Sequence, residues 1–361
     1  MVEDAIGSVQ DRRAAGGLRL AGTIAFPRVA LMTIPGSRAG LEAPTGRMRR
    51  DYIRVPVVRP LGPAQKLRLA AQGLLLSPLH AARARRRGVP GLEWRRHAMR
   101  LGLPLLLRGA RGVPRTVLYR LVLFPMDSTR YFEFGTLGEW LAQGTASRYL
   151  DVSSPRLFPL VVVDGGRAAE ADLVNPHGQD AALTEALVRA AGLEGRCRVH
   201  RWEIEAAPFA AGSFDLVTSI SVLEHIPRDR EAVGVMWRLL RTGGRLLLTV
   251  PCAAENSEQY IDRDEYGLLA PDAGGFVFWQ RFYDDALLER NVFSVTGPPS
   301  RRAVYGERVP GSFQANAARK RSDPAYPFWR EPTMMAREYS RFDRIADLPG
   351  EGVVALEFVK S

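Results

Sequence analysis

Cysteine is almost missing from this chain. Cys197 and Cys252 are the only two in 361 residues, too few for a disulfide framework. The five histidines, at 80, 97, 177, 200 and 225, show no metal-ligand spacing, so no metal site is expected. Long apolar runs are also lacking. The most apolar stretches, "LGLPLLL" (101–107) and "LVLFP" (121–125), fall far short of the ~20 residues of a membrane span. The start, "MVEDAIGSVQDRR", has no apolar core of a secretory signal. A soluble protein of a reducing, cytoplasmic compartment is expected. Lysine is scarce as well, with Lys66, Lys320 and Lys360 set against 47 arginines. That skew, beside abundant Ala, Gly and Pro, fits a GC-rich coding sequence. It weakens any functional reading of the net charge of +11.

That charge is unevenly placed. Residues 1–130 carry 24 basic against 7 acidic side chains, and the remainder 26 against 32. Compositional drift explains the basic third, and so does contact with an anionic surface. Residues 1–60 are rich in Gly, Pro and Arg without periodicity and read as a disordered extension, with Met48 an alternative start. A helical pattern follows over 64–89 and one or two more helices over 91–124, so 61–144 reads as a helical N-terminal region.

From 145 the pattern alternates strand and helix to the end, which predicts an α/β, doubly wound, mostly parallel sheet. The strand candidates are 148–152, 168–173, 197–204, 214–220, 245–251, 291–297 and 352–360. Most are short continuous apolar runs, as expected of strands covered on both faces. Within "PRDREAVGVMWRLLRTGG", positions 232, 235, 236, 239 and 240 share one helical face, closed by Gly243 and Gly244. Two long irregular stretches, about 256–285 and 299–345, read as insertions.

The stretch "FAAGSFDLVTSISVLEHIPRDREAVGVMWRLLRTGGRLLLTVP" (209–251) resembles the class I S-adenosylmethionine-dependent methyltransferases, in the group of small-molecule (type 11-like) enzymes. The resemblance implies a Rossmann-like, seven-stranded sheet with the last strand antiparallel, S-adenosyl-L-methionine as cofactor, and in-line methyl transfer. It implies an acid after strand one, met by Asp151 in "RYLDVSSP". It also implies glycines where Ser153 and Pro155 stand. Serine is small enough for a close approach, and Pro155 is tolerated at a helix start, so Ser153 and Ser154 are expected to form the cofactor loop. A plain turn that has lost its ligand is the alternative. Asp172, 21 residues after Asp151, takes the place of the ribose-binding acid, or is a surface aspartate. Glu203 takes the place of the acid near the adenine, and Ser219 faces the cofactor.

Beyond strand four, Glu224 and His225 face the substrate pocket in such relatives, and His225 is the candidate general base because its ordinary pKa lies near neutrality. It could equally cap or pack the loop. Tyr260, Trp279, Arg281 and Tyr283 are candidate acceptor contacts, since aromatics and arginines in long loops suit a pocket wall. A small-molecule, glycan or lipid-linked acceptor is expected, with weak peripheral membrane contact through the basic N-terminus. The alternatives are an RNA methyltransferase and a degenerate binding module. The nucleic-acid reading lacks the Asn/Asp-Pro-Pro-aromatic motif after strand four.

Overall fold

In the computed structural model, residues 48–361 are described. The expected disorder of residues 1–47 lies outside them, but the end of the expected disordered stretch is ordered. Strand β1 (Arg49–Ile53) runs parallel to a strand more than 200 residues away. Helices α1 (Pro63–Arg86), α2 (Trp94–Arg108) and α3 (Arg115–Leu123) follow. The segment read as a bridge into the sheet contains α4 (Arg130–Leu141), which is buried along nearly its whole length. Its close seating needs glycine. A Cβ on Gly91 would lie 2.0 Å from the Tyr131 carbonyl oxygen, and one on Gly135 would lie 2.5 Å from the Gly91 nitrogen.

The sheet alternates with helices as expected. In chain order come β2 (Ala146–Val152), α5 (Leu157–Asp164), β3 (Ala168–Val174), α6 (Gly178–Ala190), β4 (Cys197–His200), β5 (Phe214–Ile220), α7 (Asp229–Leu239) and β6 (Leu240–Ala253). A hairpin, β7 (Ser257–Ile261) and β8 (Val277–Phe282), joins β1 in a separate three-stranded sheet. The chain closes with β9 (Arg301–Glu307), α8 (Ser312–Ser322), α9 (Glu331–Glu338), β10 (Tyr339–Phe342) and β11 (Glu351–Val359).

The main sheet has the order β10-β9-β11-β6-β5-β2-β3-β4. Strands β2 to β6 pair in parallel, and β11 is antiparallel to both β6 and β9. Seven strands follow the expected plan, and β10 adds an eighth at the edge. Two expected strands differ. The 197–204 run stops at His200 and passes into a single 3-10 turn, Ile204–Ala206. The 291–297 run is helical, continuing from Asp285–Leu288, whose start is capped by the Asp284 carboxylate accepting from the Leu287 amide. That cap and the buried Leu287, Leu288 and Val292 outweigh the strand propensity of "VFSV". The strand expected there is β9, at the front of the stretch read as the 299–345 insertion.

Helices α2 and α4 close over α5. Trp94 stacks on Phe158 with ring centroids 4.9 Å apart, and Phe134 packs at an angle against both rings. The N-terminal helices therefore roof the carboxyl end of β2, where a doubly wound sheet places its ligand crevice.

Candidate active site

The loop after β2 keeps the backbone shape that glycine usually supplies. Ser153 lies in the left-handed region at φ 53°, which costs roughly 1–2 kcal/mol for a residue with a Cβ. The cost is offset locally. Both the Ser153 amide and its Oγ donate to the Val174 carbonyl at the end of β3, at 2.8 and 3.0 Å. Ser154 ties the loop to β5 by accepting from the Ile220 amide at 3.1 Å. Pro155 stands just ahead of α5, where its missing N–H costs nothing.

Asp151 braces this loop from below. One carboxylate oxygen accepts from Thr218 Oγ1 at 2.7 Å and Tyr149 Oη at 3.0 Å, and the other from the Ser154 amide at 3.1 Å. Burial pushes its pKa up to about 6, against the pull of those hydrogen bonds. Its carboxylate is turned inward rather than into a cavity.

One cavity adjoins the loop at Pro155, and a second lies next to it. The first, about 120 Å³, is lined by Pro155, Arg156 and Leu157 on one side and by Phe124, Asp127 and Arg130 on the other. The second, about 180 Å³, is lined by Ser221, Glu224 and His225 after β5, by Tyr266, Trp279 and Gln280, and by Lys320 and Arg321 of α8. Asp127 and Arg130 belong to both walls. Taken together the cavities approach the lower end of the roughly 300–1,000 Å³ range of ligand pockets.

In the second cavity His225 and Glu224 form an unusual pair. The Trp279 carbonyl lies 2.5 Å from His225 Nδ1. A carbonyl can only accept, so Nδ1 carries the proton and Nε2 keeps its lone pair. Nε2 is 3.8 Å from Glu224 Oε1. Burial lowers the His225 pKa to about 4 and raises that of Glu224 to about 8. At neutral pH the pair is therefore an uncharged acid beside an uncharged imidazole. Glu224 Oε2 and the Tyr266 hydroxyl, both on this wall, find no hydrogen-bond partner among the described residues.

These displaced pKa values predict how stability follows pH. The raised Glu224 pKa contributes stability that is complete below its ordinary value near 4.5 and is lost as pH rises through about 8. The lowered His225 pKa contributes stability present above 6.5 and lost as pH falls through about 4. Every tenfold change in proton affinity on folding corresponds to about 1.4 kcal/mol. Thermal melts should show Glu224→Gln losing less stability than the wild type between pH 6 and pH 9. Parallel curves for the two chains would contradict this electrostatic account.

The remaining expected residues divide. Ser219 is fully buried within β5, its Oγ without a hydrogen-bond partner among the described residues, and Trp279 reaches the second cavity. Glu203 is exposed ahead of the 3-10 turn, where Trp202 stacks on His200 at 4.4 Å. Asp172 departs from expectation. Strand β3 runs on to Val174, so Asp172 stops two residues short of the strand end. Its carboxylate meets His200 Nε2 at 2.8 Å and Arg148 at 3.2 Å, outside both cavities.

Tyr260 also lies elsewhere. It stacks on Tyr52 in the small sheet and donates to Glu258. Arg281 and Tyr283 converge instead on Asp229 at the start of α7, at 2.6 and 2.7 Å. A buried carboxylate needs such partners, and this one claims both side chains.

Several site residues escaped the sequence reading, and α4 supplies the most important. Glu133, fully buried, accepts from Ser221 Oγ and from Thr249 Oγ1 at 2.7 Å, and pairs with Arg130 at 2.6 Å. It thereby ties the roof helix to the residue after β5 and to Thr249 inside β6. Tyr266, Lys320 and Arg321 were likewise hidden in segments without periodicity.

Residues 167–248, from β3 to the end of the β5–β6 pair, match the family model described as a methyltransferase domain. Over those residues the chain is similar to the class I S-adenosylmethionine-dependent methyltransferases, the match spanning less than a quarter of its length. Over 88 residues it is 34% identical to the ubiquinone/menaquinone biosynthesis C-methyltransferase UbiE of Sinorhizobium fredii, spanning 24% of this chain and 34% of that protein. Over 152 residues it is 29% identical to the dimethylglycine N-methyltransferase of Parasynechococcus marenigrum, 42% of each chain. The chain thus spans about a third of the length of the first of these relatives. A solved geranyl diphosphate C-methyltransferase from Streptomyces coelicolor superposes at 13% identity over 64% of this chain and 80% of its own, with a TM-score of 0.41.

S-adenosylmethionine is the cofactor of this domain class, and the loop is compatible with it. The left-handed turn at Ser153 is retained, and a cavity opens over Pro155–Leu157. Among the described residues no group of three or more His, Cys, Asp or Glu could hold a metal, and no helix is long and apolar enough to cross a membrane.

Proposed function

We propose that this protein moves a methyl group from S-adenosylmethionine to a small-molecule, glycan or lipid-linked acceptor held in the second cavity. The observation that carries the reading is the meeting of Glu224, His225, Tyr266 and Trp279 in one cavity, which shares Asp127 and Arg130 with the cavity over Pro155–Leu157. When bound, the cofactor supplies an electrophilic methyl on a sulfonium, so the protein's task is alignment and exclusion of water more than acid–base chemistry.

The residues that would hold the cofactor are the backbone of Ser153 and Ser154, with Ser219 beneath and Glu203 and Trp202 at the adenine side. Asn175, the first residue past β3, replaces Asp172 as the strand-end position. Arg130, on the wall common to both cavities, suits a carboxylate. On the acceptor side, His225 Nε2 accepts a hydrogen bond from the nucleophile. The protonated Glu224 donates one, and Trp279 forms the apolar wall. For a hydroxyl acceptor His225 also takes the proton; its low basicity fits an acceptor acidified by its own structure, such as a phenol or enol.

Incubation with methyl-labelled cofactor and pooled acceptors tests the reading directly. Label should pass to a low-molecular-weight or lipid-linked acceptor. Label entering only RNA, or no transfer from a chain that binds cofactor tightly, would overturn it.

A further inference from the structure

Helix α1 is amphipathic in the wrong sense for a helix on a water-facing surface. Its 24 residues, about 36 Å of helix at 1.5 Å per residue, bury Gly73, Ser77 and Ala84 against the protein. Those positions fall on one face at helical spacing. The solvent side presents Leu67, Leu74, Leu75 and Leu79, each 45–75% exposed, with Ala71, Pro78 and Ala82 exposed among them and Arg68 as the cation between. In an ordinary surface helix this face would be polar. Helix α2 repeats the composition, leaving Met99, Leu103 and Leu107 exposed beside exposed Arg96 and Arg100.

Charge identifies what would cover the leucines. Over 63–115 there are twelve Lys and Arg and one acidic residue, Glu93. At the end of α1 Arg83, Arg85, Arg86 and Arg87 are all exposed. A second copy of this surface would meet it with like charge. The N-terminal segment 1–47 is a poor cover for the same reason, since it carries six arginines against four acidic residues. A nucleic acid would satisfy the arginines and leave the leucines in water. An anionic lipid surface satisfies both, with leucines in the acyl boundary and guanidinium groups among the phosphates.

We propose that the exposed face of α1 is a docking surface for an anionic membrane, holding the enzyme peripherally by Leu67, Leu74, Leu75 and Leu79 with the arginines at the helix end. Neither contact involves the crevice, so the proposal stands independently of the acceptor's identity. It would bring a lipid-linked or membrane-dissolved acceptor to the enzyme.

Vesicle co-sedimentation of the full chain tests this. Binding is expected to phosphatidylglycerol–phosphatidylcholine vesicles at low salt, but not to vesicles of phosphatidylcholine alone. Two exposed-face variants separate the contributions: Leu74→Ser with Leu75→Ser, and Arg85→Glu with Arg86→Glu. Each should weaken vesicle binding by at least about tenfold, while cofactor calorimetry stays unchanged and reports an intact fold. The proposal is overturned if the wild type ignores anionic vesicles, if the leucine variant sediments like the wild type, or if the chain prefers RNA or DNA to vesicles with no dependence on the leucines.

Discussion

Ser153→Leu is expected to bind S-adenosylmethionine at least about 100-fold more weakly than the wild type, a loss of about 2.8 kcal/mol. Ser153→Gly should stay within about threefold. The asymmetry follows from the loop. Ser153 holds a left-handed conformation that glycine adopts freely, so the Gly variant trades the Oγ bond to Val174 for relief of backbone strain. Those two effects nearly cancel. Leucine keeps the strain, cannot make the bond, and is too large for the buried niche beside Val174. Its side chain must then turn toward the cavity over Pro155. Circular dichroism and the melting temperature distinguish a blocked loop from an unfolded chain. A folded Leu variant with wild-type affinity would remove the loop from the cofactor site.

Glu133→Leu should cost about 3–5 kcal/mol of stability, the usual consequence of stranding one partner of a buried ion pair. Arg130 lies beside Glu133, and although burial opposes its charge, the neighbouring carboxylate keeps its pKa above the ordinary value. Removing that carboxylate leaves the guanidinium without its main counter-charge and deprives Ser221 and Thr249 of their common acceptor. Glu133→Gln should fall between, because it keeps an acceptor for the hydroxyls and loses only the ion pair. Urea unfolding of the three chains measures both steps. A loss below about 1 kcal/mol in the Leu variant would show that the roof helix is held by apolar packing alone.

The sheet was legible where local chemistry and burial agree. "FDLVTSI", with Phe, Leu, Val and Ile at four of its seven positions, became β5 at the expected residues, and the spacing of Ala232, Met236 and Leu239 marked α7. It was illegible where a distant partner decides. Arg49–Ile53 looks like coil until β7 pairs with it, and two arginines at the front of β9 disguise a sheet strand.

The same division holds at the site. Glu224 and His225 line the second cavity because they follow directly on β5, whose end the alternating pattern sets; Trp279 reaches the same cavity from inside β8. Asp172 was misplaced by a strand end read one residue early. Arg281 and Tyr283 looked like pocket residues by type, yet buried Asp229, 52 and 54 positions earlier, claims them. Glu133 could not have been singled out. The hydroxyls it holds lie 88 and 116 positions away, and in sequence nothing separates it from Glu139 of the same helix.

The proposed membrane surface and the crevice are separable, one tested by vesicles and the other by cofactor. The central claim concerns the second, and isothermal calorimetry of the wild-type chain with S-adenosylmethionine and its demethylated product tests it most directly. Saturable one-site binding of both ligands is predicted, with affinities in the micromolar range, about 8 kcal/mol. Absence of heat for either ligand up to millimolar concentration, from a chain shown to be folded, would contradict it.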